Sequence, residues 1–462
     1  MEFDAHRVLR IASRLCGECE VFATRTRGIT AFLDSEKPDM AISSEESGFG
    51  LRVFKGKKVG TSSGSDFSNE GIRKVAMQAL LSAKLNRENK GFEFPQQGRA
   101  AAGKDECDKS IAGIVLEGGD AASREARDFS KTLLAEGEGL QIPLASFNWS
   151  LVDYEIENTR GLHRRGKASF FAAEPYVIAK GKGKRSEVIE HRVLRKFPKN
   201  WSGEFAEECA GLAMQSLDAR QLPSGEYDAI LHPGEFAALF DETFGYMLTG
   251  RPRFDGLGLF SRGKKVMDNR ISVQDAISIP GGAASFACDQ EGVSRKPLSV
   301  VEKGVFKNEL CDAFTAGLLK TKATGNCRRE GHDYESWYAS GPGCGFNNAV
   351  FNAGDRGLEE LFGETKRGIY VVRTAYPLAD AVSGKFTNEV RSGFFVENGE
   401  VKYPVKSVVV NGNFYDLMKN RVVGFSKERE SVATSTDAFC SGVLAPHFKF
   451  SKVSVAGGAA KG

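Results

Sequence analysis

Several absences narrow the class of this 462-residue chain. No apolar run can span a bilayer: Phe170 to Ala173 and Val408 to Val410 fall far short of the ~20 residues a membrane helix needs. No charge sign dominates either. With 63 basic and 60 acidic side chains the formal net charge is +3, so no general attraction to nucleic acid or anionic membrane is expected. Histidine is scarce: among the six, none lies within four residues of another, which excludes an HExxH helical pair of metal ligands. The nine cysteines are odd in number and mostly single, the pattern of reduced thiols rather than a disulfide framework. Met1-Glu2-Phe3-Asp4 begins no basic-then-apolar secretion pattern, and a cytoplasmic location is expected.

What is present reads as a globular protein of two or three domains, with 41% hydrophobic and 27% charged residues. Val8, Ile11, Ala12 and Leu15 recur at helical spacing. Gly50 to Gly60 reads as a hairpin turning at Gly56, and Ser68 as the N-cap of a helix whose Ile72, Val75, Ala76, Ala79, Leu80 and Ala83 share a face. A polar stretch, Phe92 to Lys109, marks a boundary. Beyond a helix near Ala121 to Leu134, residues Ala145, Phe147, Trp149 and Leu151 alternate with period two, as in a strand. Phe170 to Ala179 and Val188 to Leu194 read as strands joined by the basic turn Lys180 to Arg185, and Phe205 to Leu217 as an amphipathic helix. From Ser224 onward short glycine-punctuated strands dominate, among them Tyr227 to Leu231, Ile369 to Thr374, Gly393 to Val396 and Phe448 to Val455. The tail Ala456 to Gly462 is expected to be disordered. The class is α+β, in three segments: 1–100, a helix–hairpin α+β region; 101–223, with central antiparallel strands; and 224–462, a curved antiparallel sheet or partial barrel.

Short motifs carry little chemistry alone. Cys16-Gly17-Glu18-Cys19 has no second cysteine pair nearby and is read as structural. Gly60-Thr61-Ser62-Ser63-Gly64 matches GxSxG but leaves a hairpin, not the strand-turn-helix of a nucleophile elbow. The Lys180 to Arg185 turn lacks the aromatic partners of a nucleic-acid groove and reads as a solvated hairpin tip. Taken from the residues alone, the chain shows neither a self-contained metal site nor a nucleophilic triad.

Longer runs are more specific in their order and spacing. They include Gly50-Leu51-Arg52-Val53, Asn158-Thr159-Arg160-Gly161, Asp289-Gln290-Glu291-Gly292-Val293 and Val301-Glu302-Lys303-Gly304-Val305. Ala323-Thr324-Gly325-Asn326, Ser383-Gly384-Lys385-Phe386, Gly393 to Glu400 and Cys440-Ser441-Gly442-Val443-Leu444-Ala445-Pro446 continue the series. With the stretch Glu226 to Gly250, they make a chain that resembles the TldD/PmbA family, once called modulators of DNA gyrase, along nearly its whole length. The resemblance implies a metal-dependent peptidase complex of two kinds of subunit. In the TldD kind, an HExxxH helix and a C-terminal cysteine hold zinc, and the Glu is general base. The PmbA, or TldE, kind has lost the motif and pairs with a TldD partner.

Matched without gaps to that helix, Asp241 and Tyr246 stand at the two His positions, Glu242 at the base position and Cys440 near the cysteine position. Phenolic Tyr is a poor zinc ligand, so the set is degenerate, and His232 is read as lying outside it. The resemblance therefore implies a PmbA/TldE-type subunit without a cofactor of its own. Zinc is expected in a TldD-like metallopeptidase partner, and peptides or unfolded proteins as substrate; no nucleic-acid or membrane partner is expected. Two other readings stand beside it. One is an autonomous hydrolase using Asp241, Glu242 and Cys440 with an unusual metal. The other, a nucleic-acid-associated regulator, is the weakest given the near-neutral charge.

Overall fold

A computed structural model of the chain describes residues 3–98, 107–329, 337–434 and 441–457. Cys440 and most of the tail expected to be disordered lie outside the described residues. Helix α1 (Ala5–Cys16) is capped by Asp4, whose carboxylate accepts from Arg7 N at 2.9 Å, and stops at Gly17 with φ 79°. Val8, Leu9, Ala12 and Cys16 form its buried stripe. Leu15, expected on that face, is 41% exposed, because Cys16 takes the position one turn beyond Ala12.

Three long strands follow, β1 (Glu18–Asp34), β2 (Lys37–Lys55) and β3 (Lys58–Gly64), then α2 (Asn69–Leu85). Ser68 caps α2 as its sequence requires, accepting from Gly71 N at 3.0 Å. Helices α3 (Lys109–Glu117) and α4 (Gly119–Ala135) lead into β4 (Leu140–Asn158), β5 (His163–Gly181), β6 (Lys184–Ile189), β7 (Arg192–Leu194) and α5 (Trp201–Gln215). The basic turn is the β5–β6 hairpin tip. All these strands form one seven-stranded sheet, β3-β2-β1-β4-β5-β6 with β7 on β5. Since β1 pairs with β4, the sheet runs across the boundary at residue 100. The period-two residues Ala145, Phe147, Trp149 and Leu151 face helices α4 and α5 in a core with Phe129, Trp201 and Phe205.

The rest is built on β8 (Gly225–Leu231), β9 (Val273–Asp275), β10 (Leu298–Glu302), β11 (Val305–Phe306), β12 (Cys327–Arg329), β13 (Pro342–Cys344) and β14 (Asn348–Phe351). It continues through β15 (Arg367–Thr374), β16 (Lys385–Glu397), β17 (Glu400–Pro404), β18 (Val408–Asn413), β19 (Val422–Ala433) and β20 (Gly442–Ala456). Pairing runs β20-β18-β16-β15-β8, and β8 pairs back onto β20, which closes a five-stranded barrel. The expected curved sheet is thus a closed ring with one parallel pair, β8–β15. Its interior is filled by aromatic side chains such as Phe236, Phe240, Phe351, Phe414 and Phe448. No helix among the described residues is long and apolar enough to cross a membrane.

A buried ion cluster joins the first sheet to the C-terminal part. The Arg52 guanidinium on β2 donates to Glu20 on β1 at 3.0 Å and to Glu291, and lies over the rings of Phe92 and Phe94. Arg329 on β12 reaches the same Glu20 at 3.3 Å, and all four charged residues are at most 3% exposed. Isolated charges would not survive such burial. Two carboxylates and two guanidiniums in mutual contact do.

Candidate functional site

At the end of β8, His232 is extended, with φ −60° and ψ 146°, and its Nδ1 accepts from Gly234 N at 3.1 Å, so it caps the next helix. Pro233 supplies the fixed φ of a first helical position, and α6 (Pro233–Phe240) begins. Phe236, Phe240 and Phe244 recur every four residues and stack into the barrel core. Gly234, Glu235 and Ala238 are left on the other side, where they line a cavity of ≈ 690 Å³.

The helix then widens into a π turn over Asp241–Gly245. Five residues are about 1.4 turns of an α-helix, which would put positions 241 and 246 on different faces. A π turn bonds i to i+5 and draws such a pair toward one side. Asp241 and Tyr246 nonetheless have different surroundings. Asp241 Oδ1 accepts from Ser441 Oγ at 3.0 Å and lies 4.0 Å from Arg328 Nη1, which itself donates to Ser441 Oγ. Tyr246 lies within the influence of Asp255 and Arg251, and burial followed by Asp255 raises its phenol above the ordinary range. Glu242 is exposed. Ser441 N-terminal to β20 also accepts from Thr434 N at 3.1 Å through its carbonyl, which brings the end of β19 beside Asp241.

The cavity lies one helical turn from Asp241, between the barrel and the β7–α5 edge of the first sheet. Its walls are charged but largely paired. Arg373 grips Glu190 with two nitrogens at 3.0 and 2.5 Å and donates to His191 Nδ1 at 3.1 Å, while Arg192 pairs with Glu208. Burial, then the Arg373 charge, pushes the His191 imidazole down to about 4. Glu235 is 4% exposed and accepts from Thr374 N at 3.0 Å and Thr374 Oγ1 at 2.9 Å; burial holds its pKa above the usual carboxylate range.

At one end of the cavity the fold makes a cluster that sequence reasoning missed. Because Phe448 on β20 pairs with Leu231 on β8, the next residues, His447 and His232, are neighbours, with ring centroids 5.3 Å apart at 88°. Glu430 on β19, paired with Ala445, brings Oε2 within 3.4 Å of His232 Nε2. Tyr370 Oη stands 3.2 Å from His447 Nε2. One donor atom from each of His232, Glu430 and His447 falls within 4.8 Å of the others. His232, at the start of α6, is remote in sequence from Glu430 and His447 on the consecutive strands β19 and β20, and no local spacing announces the three together.

Comparison with known proteins bears on the family and the fold. Residues 224–457 match the family described as PmbA/TldA metallopeptidase C-terminal domain, and residues 19–83 match PmbA/TldA metallopeptidase domain 1. The chain is 22% identical over 444 residues to the metalloprotease PmbA of Escherichia coli O157:H7, across 96% of this chain and 94% of the relative. To a metalloprotease TldD homolog of Buchnera aphidicola it is 26% identical over 217 residues, 46% of this chain and 44% of that relative, so this match spans less than half of either. The crystal structure of TldE from Thermococcus kodakarensis has the same fold, with a TM-score of 0.83 at 21% identity over 97% of this chain and 99% of that one.

Proposed function

From its membership of the PmbA/TldD metallopeptidase family, we propose that this chain is a PmbA/TldE-like subunit of a cytoplasmic metalloprotease acting on peptides or unfolded proteins. Zinc at the family's HExxxH position then belongs to a TldD-like partner. The observation that carries the reading is the Asp241–Tyr246 turn. It offers a carboxylate already engaged by Ser441, with the Arg328 guanidinium 4.0 Å away, and a neutral phenol. A guanidinium beside the carboxylate opposes a cation there, and tetrahedral zinc prefers imidazole or thiolate to phenol. These residues do not fit the family's zinc, and no catalytic step is assigned to them. Glu242, at the base position, keeps its carboxylate on the same turn.

The role of the chain is then to complete a substrate chamber. The charged cavity beside α6 supports this, since it lies one helical turn from Asp241, the position matched to the family's motif. Ser431, Val432 and Ala433 at the end of β19, and Thr434 after it, line it, an extended segment against which a peptide backbone can align. The test is peptide cleavage and elemental zinc analysis on this chain alone and co-expressed with a TldD-type chain from the same cell. Cleavage in the complex alone is expected. Failure to form a stable complex, or cleavage by the lone chain that disappears in Glu242→Gln, would overturn the proposal.

A further inference from the structure

The His232–Glu430–His447 cluster is a different place from the Asp241–Tyr246 turn, and its donor set is of a different kind. Two imidazoles and one carboxylate make up the three protein ligands of open zinc centres, with a fourth position left for solvent. Imidazole also suits copper, nickel and iron, while the carboxylate broadens the set without favouring calcium or magnesium.

Three features of the geometry suit a shared cation. First, His232 Nε2 and Glu430 Oε2 are 3.4 Å apart. That is long for an N–H···O hydrogen bond, which runs ~2.7–3.2 Å. It is close to the ~3.3 Å between two ligands each ~2.0–2.1 Å from one tetrahedral ion. Second, His447 is 3% exposed, and its Nδ1 has no hydrogen-bond partner among the described residues, while Nε2 faces Tyr370 Oη at 3.2 Å. A buried ring nitrogen without a partner is costly, and a cation held by His447 through Nδ1 would supply one. Tyr370 then serves the other nitrogen and fixes the ring, as outer partners of ligating histidines do. Third, His232 directly follows β8, while Glu430 and His447 stand on β19 and β20, and β20 pairs with both β8 and β19, so hydrogen-bonded strands hold the backbone at all three positions before anything binds. The neighbouring cavity, which His232 and Glu430 line, gives a path of entry.

Electrostatics do not forbid a cation. The two arginines of the cavity, Arg192 and Arg373, are engaged by Glu208 and Glu190. Burial first, then the neighbouring charges, keeps His232 at about 3, and burial keeps His447 at about 4, so both rings are neutral near pH 7 with a lone pair to give. One cost is visible. His232 Nδ1 accepts from Gly234 N, which places the ring proton on Nε2, facing Glu430. Ligation through Nε2 moves that proton to Nδ1 and gives up the cap. A single neutral hydrogen bond is small against a metal–imidazole bond in a three-ligand site.

We propose that His232, Glu430 and His447 bind one divalent transition-metal ion of the zinc class, at a site separate from the family's HExxxH position. This goes beyond the proposed function and does not depend on a partner subunit. The sequence reading leaves His232 outside the family's ligand set, and the pairing of β20 with β8 that brings His447 beside it has no local signal in the chain.

The test uses the full-length chain, stripped with a chelator and titrated with zinc against a chromogenic competitor, with cobalt(II) as a second probe. One equivalent of zinc is expected, together with the visible absorption of tetrahedral cobalt. His232→Asn keeps a side-chain cap for α6 but removes the imidazole, so it is expected to stay folded by circular dichroism and bind zinc ~100-fold more weakly. His447→Gln is expected to weaken binding similarly, and Asp241→Asn to leave it intact. Absence of zinc binding by the wild-type chain at micromolar metal would overturn the proposal. So would wild-type affinity in His232→Asn, or affinity lost in Asp241→Asn and kept in His232→Asn. A metal found in the co-expressed complex leaves the two proposals distinguishable, because His232→Asn removes only the site proposed here.

Discussion

Arg52 offers the sharpest test of how the first sheet is held to the C-terminal part. Arg52→Met removes the guanidinium and keeps most of the side chain's volume between Phe92 and Phe94. Two carboxylates then change circumstances. Glu20 keeps Arg329 at 3.3 Å, while Glu291 keeps, as its hydrogen bond among the described residues, the backbone N–H of Ala313 at 2.8 Å. Each charge-assisted hydrogen bond lost is worth about 1.5–3 kcal/mol, and breaking a buried pair from one side costs about 3–5 kcal/mol, mostly as an uncompensated charge. Against a total of about 5–15 kcal/mol, the loss of about 4 kcal/mol is large. Urea unfolding followed by tryptophan fluorescence measures it, Trp149 being fully buried in the first sheet's core. The double variant Arg52→Met/Glu291→Gln removes the stranded charge together with its partner. It is expected to recover about 2 kcal/mol of the loss. If Arg52→Met costs under about 1 kcal/mol, or the double variant is no better than the single, the cluster is not the strut described.

Acid should weaken the fold through its buried imidazoles. His191, His232 and His447 are held at about 4, 3 and 4, below the ~6.5 of an unfolded histidine. The unfolded chain therefore takes up protons first, so their contribution is complete above pH ~6.5 and is lost as pH falls toward 4, by up to about 1.4 kcal/mol per pH unit for each ring. Urea midpoints from pH 7.5 to 4.5 should fall less steeply for His447→Gln than for wild type, and parallel slopes would refute this. Gly60→Ala places a Cβ 2.1 Å from Ala79 O and 2.3 Å from Ala83 N of α2, so a loss of about 3 kcal/mol is expected in thermal unfolding. Ser62→Ala, in the same GxSxG run, loses one exposed hydrogen bond to Gln78 and should stay within about 0.5 kcal/mol; equal effects would show that β3 and α2 do not meet there. Glu235→Ala strands the buried N–H and hydroxyl of Thr374 at a cost of about 2 kcal/mol. Glu235→Gln should recover part of this in the same assay, and two variants as stable as wild type would deny the carboxylate its structural part.

The sequence alone determined those parts whose signal is local. Ser68 caps α2 because its hydroxyl and the N–H it serves are three residues apart. The strand through Phe147 and Trp149 was legible because one face of a sheet needs every second residue apolar. The α+β class and the basic hairpin tip are of the same kind. Tertiary structure decided the rest. Two runs that carried the family resemblance meet in space, Arg52 of Gly50-Leu51-Arg52-Val53 joining Glu291 of Asp289-Gln290-Glu291, while Asn326 of Thr324-Gly325-Asn326 donates at 2.7 Å to buried Asp275, which lies outside those runs. Nothing near Arg52 in the chain reveals which carboxylate will neutralise it. The seven-stranded sheet, the closure of β20 on β8 and the meeting of His232 with His447 have the same cause. Strand order and register are set by which apolar faces can be buried together, and that choice is made across the whole chain.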